Sequence, residues 1–160
     1  MRCWRICRRA FRAPTGEGAE RYGGRWNSRG RRLVYTASSL ALAAVELFVN
    51  IDPNLLPDDL VSIVGEVPDE LPLERLEEAR LPRDWNKTRS PALQRIGDQW
   101  IQEGRTTGLW VPSAAVRGDW NLLLNPAHPD FARVSFEAPV AFVFDPRMFT
   151  RGGSRHDDEG

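Results

Sequence analysis

Residues 38–50 read SSLALAAVELFVN, and from Leu40 to Val49 the only polar side chain is Glu46. Ser38 or Ser39 can cap a helix here, Asn50 ends it and Pro53 follows, so the spacing predicts a helix over 38–50. A helix that is apolar all round is buried on most faces. The rest of the chain must therefore cover it, and Glu46 must be paired, hydrogen-bonded or placed at the one exposed edge. That carboxylate is either a structural ion-pair partner or a functional group held on a rigid element.

The remaining elements limit what can cover it. CWRIC (3–7) reads as a short strand, and 11–24, with Pro14 and four glycines, as loop. RWNSRGRRLVYTA (25–37) reads as a hairpin turning at Asn27–Gly30. LVSIVGEV (60–67) is strand-like. Residues 68–89 hold three prolines among charges, which predicts loop with a short helix at LERLEEA. In SPALQRIGDQWIQEG (90–104), Ser90 caps a helix, Pro91 occupies its first position and Gly104 follows its end. Strands are expected at 108–114, at the start of 121–131 and within 133–144, the last interrupted at Pro139. Strands and helices do not alternate regularly, which favours α+β over a doubly wound sheet. At 160 residues the chain makes one domain, placed at 1–149, with RGGSRHDDEG at its end expected to be a flexible tail (150–160).

Charge excludes little. Twenty-two basic residues balance twenty-two acidic ones, so net charge alone implies no nucleic-acid or membrane partner. The distribution is uneven: residues 1–32 hold ten arginines against two glutamates, and residues 52–84 ten acids against three arginines. That asymmetry could steer an anionic ligand, or the two stretches could neutralise each other in the fold. Cys3 and Cys7, four apart on one strand, would lie roughly 13 Å apart, too far for a disulfide. Two Cys and two His form no metal-site pattern, and no metal is expected. No segment approaches the length of a membrane helix. MRCWRICRRAFRAP lacks the apolar run of a signal peptide, so a soluble cytoplasmic protein is expected.

Several blocks read together are more informative than any one. WRI (4–6), GGRWNSRGRRLVYTASSLALAAVE (23–46), LWVPSA (109–114) and NLLLNPAHPDF (121–131) form a multi-part signature that resembles the RES domain family, toxins of bacterial toxin–antitoxin pairs. The resemblance implies a fold similar to ADP-ribosyltransferase toxins and NAD as the substrate consumed. It maps Arg5 and Arg25 to the NAD diphosphate, Tyr35 to stacking on nicotinamide or orienting ribose, and Glu46 to the ribose beside the scissile bond. Ser113 either donates to the ribose or fixes Glu46, and Asn125 and His128 shape the edge of the site. Glu46, Ser113 and Tyr35 are thus the expected catalytic set, with Arg5, Arg25, Tyr35, Asn125 and His128 expected to bind NAD. The resemblance further implies an antitoxin partner with an Xre-like helix-turn-helix domain that blocks the NAD pocket, and DNA contact only through that partner.

The chemistry has a physical reading. Breaking the nicotinamide–ribose bond passes through an oxocarbenium-like state, which a nearby ionised carboxylate stabilises. Water, phosphate or a protein side chain can take the ADP-ribosyl group; depletion of NAD is the first expectation and modification of a metabolic protein the second. An Arg-rich RYGGRWNSRGRR segment (21–32) also admits a nucleic-acid-binding or RNA-cleaving protein, and the fold admits a non-catalytic interaction module.

Overall fold

In the computed structural model, residues 1–52, 55–87 and 90–149 are described; the expected tail at 150–160 lies outside them. The elements run β1 (Arg2–Arg8), α1 (Glu17–Tyr22), β2 (Val34–Ala37), α2 (Leu40–Phe48), β3 (Leu60–Glu66), β4 (Leu73–Arg75), α3 (Pro91–Glu103), β5 (Gly108–Pro112), β6 (Trp120–Leu124), β7 (Ser135–Phe136) and β8 (Val140–Ala141). Eight strands form one mixed sheet in the order β4-β5-β6-β2-β1-β3-β7, with β8 also paired to β3. Only β4 and β5 run parallel; every other pair is antiparallel. The architecture is α+β.

Three consecutive leucines show how the sheet is covered. Leu122, Leu123 and Leu124 are all fully buried. Successive strand residues point to opposite faces, so such a run requires both faces to be packed. Leu123 lies in a cluster with Trp26, Leu33, Trp85, Leu109, Val111 and the α3 residues Leu93 and Trp100. Leu122 and Leu124 lie in another, with Cys3, Val34, Val67, Leu71 and Val134. A third, smaller cluster seats α2, through Leu42 and Ala43, on Ala37, Trp4, Ile6 and Val116.

The uneven charge of the sequence is partly cancelled by β1 pairing with β3. Arg2 reaches Glu66 and Glu137, each at 2.8 Å, and Arg8 reaches Asp59 at 2.9 Å. These are exposed pairs and contribute little stability individually.

Four local expectations change. Within 11–24 a short helix, α1, forms after Pro14; Glu17 and Glu20 in its first turn and Arg21 in its last suit its dipole. The hairpin over 25–37 does not form. Only its return strand β2 does, paired with β6 and with Trp4 of β1. Trp26 and Asn27 turn inward instead, at 2 % and 0 % exposure, and the backbone of 24–28 bonds to side chains of Tyr35, Gln94 and Asp98. LERLEEA is not a helix: Leu73–Arg75 pairs with Gly108–Trp110 at the sheet edge, where Arg105 holds Glu74 at 3.0 Å. A 3-10 turn at Glu78–Arg80 follows. Finally, α2 buries one face, not most of its surface: Leu42 and Ala43 are buried, while Leu40 and Val49 are exposed. The sheet meets it on one side only.

Candidate active site

A cleft of about 820 Å³ opens beside β2. Its lining includes Trp4 and Arg5 from β1, Gly23–Trp26 from the arginine-rich loop, and Tyr35 and Thr36 from β2. Ala43, Glu46 and Leu47 come from α2, Asn86 and Lys87 from the loop before α3, and Asn121 from β6.

Glu46 is positioned from both ends of its helix. Ser39 Oγ accepts the Leu42 N–H at 3.0 Å, capping the N-terminus, and Asn50 Nδ2 donates to the Glu46 carbonyl at 2.7 Å. Its carboxylate is half-buried and accepts two hydrogen bonds on one oxygen. Ser113 Oγ donates to Oε1 at 2.7 Å, and Asn121 Nδ2 donates to the same atom at 2.5 Å. Ser113 is 2 % exposed, and its hydroxyl also accepts the N–H groups of Ala115 at 3.2 Å and Val116 at 2.9 Å. With its one proton given to Glu46 and its lone pairs taken by two amides, the Ser113 hydroxyl is fully committed. Of the two roles expected for it, this geometry matches fixing Glu46.

Another part of the lining is a loop fixed by many hydrogen bonds. Gly24 permits a close approach: a Cβ there would lie 2.4 Å from the Tyr35 hydroxyl and 2.9 Å from Asn27 Oδ1. That Tyr35 hydroxyl donates to Asn27 Oδ1 at 2.7 Å and accepts the Trp26 N–H at 3.0 Å. Asn27 Nδ2 in turn donates to the carbonyls of Ala19 and Arg31. Tyr35 therefore lines the cleft while its hydroxyl holds the loop. From behind, α3 clamps the same segment: Gln94 Nε2 donates to the Gly24 and Asn27 carbonyls at 3.0 and 3.2 Å, and Asp98 accepts from the Ser28 N–H and hydroxyl. At Gly97 the contact is so close that a Cβ would fall 1.8 Å from the Trp26 carbonyl oxygen.

Two arginines line the cleft. Arg25 Nη1 donates to the Trp85 carbonyl at 2.7 Å, and Arg5 Nη2 to the Phe11 carbonyl at 3.0 Å. These bonds orient each guanidinium, which carries five donors in all. Two other arginines of 21–32 are paired on α1: Arg21 with Glu17 and Arg32 with Glu20.

The structure thus brings Glu46, Arg5, Arg25 and Tyr35 to one cleft, with Ser113 directly behind Glu46. It does not bring Asn125 and His128 there. They follow the far end of β6 from Asn121 and build a turn. Asn125 Oδ1 accepts the Ala127 N–H at 3.0 Å and its Nδ2 donates to the Ile101 carbonyl at 3.3 Å. His128 Nδ1 accepts the Asp130 N–H at 3.1 Å and lies 3.0 Å from Thr107 Oγ1. Asn125 ties the end of β6 to α3, and His128 reaches Thr107 in the segment after that helix; neither lines the cleft. Conversely, Asn121, Asn86 and Lys87 line it without having been singled out. Asn121 begins the NLLLNP block, but alternation cannot distinguish it where both faces of the strand are buried. Asn86 and Lys87 lie in the Pro-rich stretch, outside every recognised block.

The RES domain family model matches residues 2–145. The chain belongs to the RES domain family. This RES-domain chain is 38 % identical over 152 residues to a protein named Toxin Res from Yersinia enterocolitica serotype O:8 / biotype 1B, covering 92 % of this chain and 99 % of that one. It is equally 38 % identical over 155 residues to the Prs ADP-ribosylating toxin of Sphingobium sp. strain YBL2, covering 92 % and 96 %. The fold is similar to a chain in the crystal structure of the M. tuberculosis MbcT–MbcA toxin–antitoxin complex. The TM-score is 0.71 at 20 % identity, over 92 % of this chain and 86 % of that one.

Proposed function

We propose that this RES-domain protein is the toxin of a toxin–antitoxin pair and that it consumes NAD by cleaving the nicotinamide–ribose bond. The observation that carries the reading is the Glu46 carboxylate, held on Oε1 by Ser113 and Asn121 at the side of a cleft that Arg5 and Arg25 also line. The volume of about 820 Å³ falls in the range of small-molecule sites. Arg5 and Arg25 bind the diphosphate through charge-assisted bonds. Tyr35 offers its ring to the nicotinamide end, its hydroxyl being engaged by the loop. Lys87 adds a third cation to the lining, and Asn86 beside it an amide.

The mechanism needs little covalent work from the protein. Glu46 accepts from a ribose hydroxyl and lies near C1′, where positive charge develops as the C–N bond lengthens. Ser113 and Asn121 keep its orientation, so no reorganisation is required during the reaction. The acceptor is water or phosphate, giving NAD depletion. A second reading, transfer of ADP-ribose to a metabolic protein, is favoured by the name of the Sphingobium relative. The similarity to a toxin from a toxin–antitoxin complex supports a partner. We infer an antitoxin with an Xre-like helix-turn-helix domain that occupies the cleft. The catalytic unit spans residues 1–149 and acts in the cytoplasm, and DNA is reached only through the antitoxin. No helix among the described residues is long and apolar enough to cross a membrane.

Incubating purified protein with NAD, with and without phosphate and cell lysate, tests the reading. Nicotinamide release is expected, and Glu46→Ala lowers it by about a hundredfold or more. The second product, free ADP-ribose, its phosphorylated form or a labelled protein, identifies the acceptor. An absence of nicotinamide under every condition overturns the proposal.

A further inference from the structure

We propose that Asn121 is a positioning residue for Glu46, the second of two donors that lock Oε1 and so leave Oε2 as the oxygen presented to a ligand. The inference rests on reading the cleft as NAD-consuming, but the geometry beneath it does not. Asn121 sits on β6 opposite Val111 of β5, while Ser113 follows the end of β5. Two neighbouring strands therefore send one donor each to the same carboxylate oxygen, at 2.7 and 2.5 Å. A single donor pins one atom and leaves the carboxylate free to pivot about it. A second donor, arriving from another direction, removes the pivot.

The two donors are not equivalent. Ser113 is buried behind Glu46 and has three partners; Asn121 is half-buried and lines the cleft. The orientation of the Asn121 amide follows from chemistry: an ionised carboxylate only accepts, so Nδ2 faces Glu46 and Oδ1 faces away. Neither Asn121 Oδ1 nor Glu46 Oε2 carries a hydrogen bond among the described residues. No side-chain polar atom there is both buried and unpartnered, so neither oxygen is sealed away, and both residues line the cleft. A ribose hydroxyl in the cleft thus meets one free carboxylate oxygen in a fixed orientation.

Kinetics of nicotinamide release from NAD by Asn121→Ala, Asn121→Asp, Glu46→Gln and the Asn121→Ala/Glu46→Gln double variant test this. Asn121→Ala lowers kcat by roughly ten- to a hundredfold with KM within about threefold, the loss of one charge-assisted bond that matters in the transition state. Asn121→Asp is at least as impaired, because it replaces a donor with an acceptor against Glu46 at nearly constant size. In the Glu46→Gln background, Asn121→Ala changes the residual rate by less than about twofold, since no carboxylate is left to orient. Multiplying effects in the double variant, a rise in KM at constant kcat, or wild-type kcat in Asn121→Asp would each overturn the proposal. If the wild-type protein releases no nicotinamide, the NAD reading falls and positioning is decided by crystal structures of wild type and Asn121→Ala. A Glu46 carboxylate that swings or adopts several positions in the variant supports it, and one that stays in place overturns it.

Discussion

The two sides of the cleft are held in opposite ways. At the Glu46 side, side chains bond to side chains across long sequence separations: Ser113 and Asn121 lie 67 and 75 residues from the group they hold. At the Arg25 side, the backbone is what is held. The carbonyls of Gly24 and Asn27 are fixed by Gln94, and the Trp26 N–H by the Tyr35 hydroxyl. Each side is therefore vulnerable to a different kind of change. A carboxylate held by two donors loses function through loss of a donor, with the fold intact. A loop packed against a helix loses function through steric change, and stability falls with it.

Gly97→Ala should have the largest effect, on the loop side. The new methyl would fall 1.8 Å from the Trp26 carbonyl, so α3 and the Arg25 loop cannot both stay in place. A loss of about 3 kcal/mol is expected in denaturant titration, at the upper end for overpacking, together with weakened NAD binding. Unchanged stability would show that the two elements separate freely.

Arg25→Lys should have a smaller effect, confined to binding. The guanidinium spans the Trp85 carbonyl and the cleft, which a single ammonium cannot do with the same geometry. KM for NAD should rise by roughly tenfold at nearly constant kcat, the pattern for lost uniform binding. A fall in kcat alone would move Arg25 from binding to the chemical step.

The smallest effect concerns the cysteines. Cys3 is fully buried, and burial pushes its thiol above the usual range, so little thiolate forms at neutral pH. Cys7 is partly exposed and lines the cleft. Alkylation of native protein followed by mass spectrometry should label Cys7 several-fold faster than Cys3. Saturating NAD should slow the Cys7 reaction. Equal labelling with and without NAD would place the dinucleotide away from the Cys7 end of the cleft.

Much of the site was legible from local pattern. The helix around Glu46 followed from spacing, with Ser38 or Ser39 as its cap and Ser39 filling that role, as did α3 between Ser90 and Gly104. The family blocks pointed to Arg5, Arg25, Tyr35, Glu46 and Ser113 together, and four of these line one cleft with the fifth bonded to Glu46. Asn125 and His128, expected to bind NAD at the edge of the site, do not line this cleft; an Asn–Pro–x–His turn reads the same whether it shapes a pocket or closes a strand. The hairpin at 25–37 failed for a related reason. Turn residues signal a reversal, but whether the preceding residues pair as a strand depended on Trp26 finding room against Gly97.

Local pattern alone was enough for α2, with its lone carboxylate on an apolar helix, and for α3 between its caps, because caps and periodicity act within a short window. Tertiary structure decided which oxygen of Glu46 is held, that Asn121 shares in holding it, and that Tyr35 spends its hydroxyl on the loop. Those outcomes depend on strand register between β5 and β6 and on one helix packing to backbone contact. Neither is encoded within any short window of the chain.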